Sequence, residues 1–228
     1  QVRWLAPTLL FLEVGAEVFE GGSYPAGGSA NSGFGSYSLF ANIGGDIGTD
    51  SSWLAGVSYL DAEALERASG DEGEPLLFSG DSTLTSAHFV WKWAPNGNWK
   101  QRNLVFQTEL FRRNDNGIFE LPGDSVLAYD TDQEGWYAQA VYQPVPRWRF
   151  GARVDGLSGD SPGALFDGTP LALRSDDPRR YSLMTDWSNS EFSRLRLQFM
   201  RDESGPRDAN QWGIQYIHSI GAHGAHAF

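Results

Sequence analysis

Two histidines near the C-terminus, His223 and His226, stand three residues apart among glycine and alanine. Two imidazoles so placed could hold Zn²⁺ if a third ligand reached them from elsewhere in the chain. Two ligands leave a zinc site incomplete, and the plainer reading of the segment is a flexible tail retained for assembly; no other cofactor is expected. A hydrolytic constellation is the second candidate. His88 lies two residues from Ser86 on a stretch of alternating polarity, so the two share a face, and Asp186 could orient the imidazole. His88 would sit midway along that stretch, where a lipid or peptide could hardly reach it, and His218 falls on an apolar face, so the chain is not expected to be an enzyme. The third group is electrostatic. Glu13, Glu17, Asp46, His88, Lys92, Glu109, Arg149, Arg153, Asp155, Asp186 and Arg196 all fall on one face of their segments and mix both signs of charge. Such residues can line a hydrated or salt-bridged passage without breaking any bond.

The elements that must position them are strands. Apolar residues recur at every second position over about ten runs: 8–19, 36–47, 52–60, 83–93, 99–113, 136–142, 148–157, 180–187, 194–202 and 211 onward. The last shows the pattern well, with Trp212, Ile214, Tyr216 and Ile220 alternating with Gln211, Gly213, Gln215 and Ser219. Helical period is convincing nowhere, although 61–67 could form a turn or two inside a polar connection. Taken over all runs, the apolar face contains no Asp, Glu, Lys or Arg, while the other face holds the charges. A small soluble barrel would place its apolar residues inside; the reverse arrangement predicts an all-β, antiparallel, up-and-down transmembrane β-barrel with outer-membrane lipid and lipopolysaccharide against its apolar face. Nine Trp, eight Tyr and 14 Phe alongside 27 Gly suit that architecture. No stretch approaches the ~18 apolar residues of a membrane helix.

Connections are expected to alternate. Short ones, at 48–51, 94–98, 143–147 and 188–193, are rich in Asn, Gly, Pro and Asp. Longer ones fall at 20–35, 61–82, 114–135, 158–179 and 203–210, and ten strands with this asymmetry return both chain ends to one side, the periplasm. The connection at 61–82 is acidic, with Asp61, Glu63, Glu66, Asp71, Glu72, Glu74 and Asp81, and could gather cations above the lumen or meet the divalent ions of a lipopolysaccharide layer. Trp53, Trp93, Trp99, Trp148 and Trp187 flank short connections, and Trp136 and Trp212 begin strands after long ones, as two aromatic girdles would.

Net charge is −12, against a nucleic-acid partner, whose phosphates demand a basic face. Cys is absent, so disulfides and thiolate metal sites are excluded. No basic and apolar leader precedes Gln1, so any leader is expected either to have been removed or never to have been part of this sequence. The expectation is one domain over 1–228, integral to the bacterial outer membrane.

The closing segment 219–228, ending on Phe228, resembles the C-terminus of a group of Gram-negative outer-membrane proteins labelled porin-like or zinc-regulated TonB-dependent receptors. The segments 41–48 (Ala-Asn-Ile-Gly-Gly-Asp-Ile-Gly) and 52–60 are similar to the same group. The resemblance implies passage of small solutes or ions, a possible link to metal, and recognition of the last strand by the barrel-assembly machinery. Members are usually longer, which implies that this chain could be the C-terminal part of a larger barrel, and neither a TonB box nor a plug domain is seen in it. A non-conducting barrel whose external loops bind a partner or lipopolysaccharide is the alternative, and a barrel hydrolase a more remote one.

Overall fold

A computed structural model describes residues 1–28, 34–70, 75–121, 125–167, 169, 171, 177–190, 192–205 and 207–220. Its strands are β1 (Val2–Leu5), β2 (Phe11–Phe19), β3 (Ser36–Ile47), β4 (Ser51–Ser69), β5 (Leu76–Trp93), β6 (Asn103–Leu121), β7 (Ser125–Val145), β8 (Trp148–Gly159), β9 (Arg179–Ser190), β10 (Ser193–Asp202) and β11 (Ala209–His218). They form a single 11-stranded antiparallel sheet in which each strand pairs only with its neighbours in sequence. The two-residue alternation dictates this order, because consecutive amphipathic strands can match faces only by folding back as hairpins. The short connections have the backbone such hairpins need: Gly48, Asn96, Gly97 and Arg147 all take positive φ. A 3-10 turn, Pro95–Gly97, is fastened to the adjacent β3–β4 turn, where the Asn96 amide donates to Asp50 Oδ1 at 2.9 Å.

The sheet corrects the expected boundaries. An eleventh strand, β1, precedes the first expected one; it pairs Val2 with Ala16 and Leu5 with Glu13. Residues 61–67 are strand, not helix or loop, since β4 runs on to Ser69 and β5 begins at Leu76. Likewise β6 and β7 continue to Leu121 and from Ser125, so most of the expected connections at 61–82 and 114–135 are paired backbone. The strict alternation of short and long connections fails with them. Polar sequence concealed these extensions because their outward face is largely charged or polar while their inward face mixes aromatic residues with Ser82, Asp115 and Thr131. Asp61, Glu63, Glu66 and Asp81 therefore sit on strands, while Asp71, Glu72 and Glu74 lie outside the described residues.

A bulge interrupts β4. The register steps from Ala64 opposite Gly80 to Arg67 opposite Phe78, with Glu66 at φ 59°. Beyond it lies a buried cluster of Ala64, Leu76, Phe78, Phe119, Tyr129 and Phe166, with the last supplied by the β8–β9 connection. Its rings meet edge-on, Phe119 to Tyr129 at 4.8 Å and Tyr129 to Phe166 at 5.4 Å. Such pairs add about 0.5–1.5 kcal/mol each beyond the area they bury.

At its two margins the sheet remains open: β1 pairs only with β2, and β11 only with β10. The barrel expected from sequence is thus represented by an up-and-down sheet whose terminal strands do not meet.

Candidate functional site

The two faces of the sheet have opposite chemistry and opposite accessibility. On the apolar face Val57, Leu110 and Leu183 are 56%, 56% and 58% exposed, whereas on the polar face Asp186 is 0% and Asp115 3% exposed. A sheet that shelters its carboxylates and displays its leucines inverts the usual soluble arrangement. The sheltered polar face is the candidate site.

Strand register assembles the expected residues into rows across it. One row runs Glu13, Asn42, Gly56, His88, Glu109, Tyr137, Asp155, Arg180 over eight successive strands. Asn42 donates to Glu13 Oε2 at 3.2 Å, and Arg3 of β1 approaches Glu13 at 3.7 Å. Glu17 accepts from Ser38 at 3.3 Å. Gly56 has a steric role in this row: a Cβ there would collide with Asn42 Oδ1 and His88 Cε1. Its bare backbone leaves room for both side chains over β4. Arg153 donates from Nε to Asp155 at 2.8 Å and from Nη1 to Gln139 at 3.2 Å, and its guanidinium lies 3.9 Å from the Tyr137 ring centre. Gln139 in turn donates to Gln107. Asp46 and Lys92 are exposed nearer the short-connection end.

The densest charge cluster centres on Asp186. Its row is Arg149, Asp186, Arg196, one residue from each of β8, β9 and β10. Arg149 Nη2 reaches Oδ2 at 2.9 Å, Arg196 binds both oxygens at 2.7 and 3.0 Å, and Arg194 stands 3.9 Å off. One sheltered carboxylate is shared by three guanidiniums. Sequence reasoning had Arg149 and Arg196 on this face but missed Arg194; its parity in β10 was the available signal. Engagement of Asp186 here also leaves the hydrolytic constellation unassembled. His88 is on β5, four strands from β9, and Ser86 shares a hydrogen bond of 2.8 Å with Ser58.

Several tryptophans stand near the strand ends of the apolar face. Trp148 and Trp187 are cross-strand partners, as are Trp53 and Trp91, and Trp93 lies opposite Leu104 and Ser51. Trp99 sits just before β6. Toward the other end Trp136 packs over Gly156, where a Cβ would meet its indole, and the Trp212 ring meets that of Phe199 at a tilt of 51°, 4.8 Å between centres. His223, His226 and Phe228 lie outside the described residues; among the described residues there is no group of three or more His, Asp or Glu suited to a metal.

Where β4–β7 extend past these girdles, the polar face carries the aromatic cluster, and the β2–β3 connection folds against it. Arg67 and Arg113 both stack on the Tyr24 ring, at 4.9 and 4.7 Å, Arg67 also meets Phe78 at 4.8 Å, and Arg113 pairs with buried Asp115 at 2.6 Å. On the opposite face of the same extension, Arg112 pairs with Asp132 at 3.1 Å. Hydrogen bonds from Arg112 hold the Asp132 carboxyl below the usual carboxylate range. A depressed carboxyl stabilises the folded form above its unfolded pKa, and that contribution disappears as pH falls through the lower folded value. Amide exchange in 125–135 should therefore quicken, relative to that in 136–142, as pH drops below the ordinary carboxylate range, and Asp132→Asn should abolish the pH-dependent part of the difference.

No family model matches the chain. It is similar to an uncharacterized protein of Aquifex aeolicus, 28% identical over 260 residues, in an alignment that takes in all of this chain and 50% of that protein. The chain thus spans about half the length of the curated relative it matches. No solved structure matches.

Proposed function

We propose that this chain forms a β-barrel, or part of a wider one, integral to a bacterial outer membrane, through which small solutes or ions pass along the sheltered polar face. The observation that carries the reading is the inversion of the faces, with exposed leucines outside and shielded, ion-paired charges inside. On the apolar face of β6, the residues from Leu104 to Leu110 are uncharged and are bracketed by Arg102 and Arg112. At about 3.3 Å per residue the strand between those two arginines covers ~33 Å, and at a tilt of ~40° about 25 Å of thickness, the height of an outer-membrane apolar band. Lipid and lipopolysaccharide are the partners of this face, and the last strand is the segment offered to barrel-assembly machinery.

Closure requires the free edges of β1 and β11 to be satisfied, because an unpaired strand edge in hydrocarbon costs several kcal/mol per unsatisfied group. The two edges pair with each other in a narrow barrel or with further strands in a wider one.

Reconstitution into planar bilayers tests the reading. Stepwise ohmic conductance is expected, with ion selectivity altered by Arg149→Gln together with Arg153→Gln. Silence from protein shown to be folded in the bilayer would reject conduction. It would favour a second reading, a barrel that binds through its loops, which rests on the aromatic cluster and Tyr24 filling the polar face at the extended end.

A further inference from the structure

At the short-connection end a cavity of about 930 Å³ lies among the β5–β6, β7–β8 and β9–β10 turns and the end of β11. Lys100, Arg147, Arg149 and Arg194 line it, and no Asp or Glu does so among the described residues. In a chain with 29 acidic and 17 basic residues, four cations and no acid among the described lining residues run against composition.

Two features leave these cations available to a ligand. Arg149 and Arg196 already bind the Asp186 oxygens at 2.9 and 2.7 Å, so Arg194 is left at 3.9 Å, and its Nε is buried with no hydrogen-bond partner among the described residues. A buried donor without an acceptor is a standing cost that an incoming oxygen would relieve. Arg147 occupies a turn position at φ 74°, where glycine would be at ease and a long side chain is not, so the turn holds a cation at the cavity rim at some conformational expense.

We propose that this cavity is a binding site for a small solute bearing an oxyanion, phosphate or carboxylate, gathered at the short-connection mouth. Guanidinium groups present paired donors matched to two oxygens of such a group, and Lys100 supplies a mobile point charge beside them. Asp186 holds Arg149 in place while neutralising only one of the three guanidiniums around it, so the cluster keeps an excess of positive charge. The site would favour anions at one mouth of a protein whose net charge is −12. It goes beyond the proposed passage, and binding is measurable whether or not the protein conducts.

The test is isothermal titration of the full chain, folded in zwitterionic detergent at low ionic strength, with inorganic phosphate as the probe. Saturable binding is expected, weakened at least about tenfold in the Arg147→Gln, Arg194→Gln double variant, and left unchanged by Arg201→Gln at the opposite end of the sheet. Arg147→Gly guards against a folding artefact, since glycine suits that φ; it should weaken phosphate binding with no loss of thermal stability. Absence of saturable binding by the wild type, or a smaller loss in the double variant, overturns the site. A silent bilayer recording with intact phosphate binding would reject the passage and leave the site standing.

Discussion

Replacing Asp186 with Asn should destabilise the folded protein by about 3 kcal/mol, the low end of the range for removing one partner of a buried ion pair. The carboxylate is fully shielded, and its three arginines are each about a third exposed, so solvent screens part of the repulsion released. Asparagine preserves the shape and one acceptor oxygen, which separates loss of charge from loss of packing. The measurement is the urea midpoint of detergent-folded protein. A second substitution, Arg194→Gln, added to the Asp186→Asn variant should recover part of the loss, because it removes a cation that has lost its counterion. A midpoint within about 0.5 kcal/mol of the wild type would show that Asp186 does not organise these arginines, since changes of that size are typical of unremarkable surface sites.

Leu183→Arg is the second substitution expected to have a large effect, and it tests the surroundings of the protein more than its interior. Leu183 is 58% exposed on the apolar face, opposite Ala152 of β8 and Phe199 of β10. If that face meets hydrocarbon, a guanidinium near the centre of the band costs ~2–4 kcal/mol, whereas arginine at an equally exposed position in water would be close to neutral. Folding into phosphatidylcholine vesicles, followed by urea titration, should show the penalty. Leu183→Arg stability equal to the wild type in vesicles would contradict a lipid-facing sheet. The same substitution at Ile118, on this face but in the β6 extension beyond Arg112, should be tolerated, because that part of the strand projects past the band.

The strand order and the partition of side chains between two faces were legible in the chain, because a period of two fixes the face of each side chain once a single member is assigned. Glu13 beside Asn42, and Arg149 and Arg196 about Asp186, follow from that parity together with hairpin order. Less legible was the length of β4–β7. There the sheltered face mixes Ser82, Asp115 and Thr131 with Phe78, Phe119 and Tyr129, while Asp81, Arg112 and Asp132 stand on the other face, so the alternation loses contrast. Only in three dimensions does a partner for such a residue come into view, as Asp115 does for Ser82. The contribution of Phe166 was illegible for a different reason: it reaches the cluster from a connection with no period at all. Strand β1 is four residues long and gives too few repeats for alternation to register.

The bulge in β4 shows how one inserted residue can decide the sign of charge in a confined space. Along an unbroken ladder, the residue opposite Phe78 would be Glu66, and a carboxylate would point at the aromatic cluster. Because the register slips by one, Arg67 takes that position instead, donates to the carbonyl of Pro25, and stacks on Tyr24 and Phe78. Backbone length thus sets electrostatic parity. A ladder that held its first register through this point would have the same composition and net charge, yet would exchange cation for anion at the inner surface of the extension and turn the π-faces of two rings from partners into obstacles.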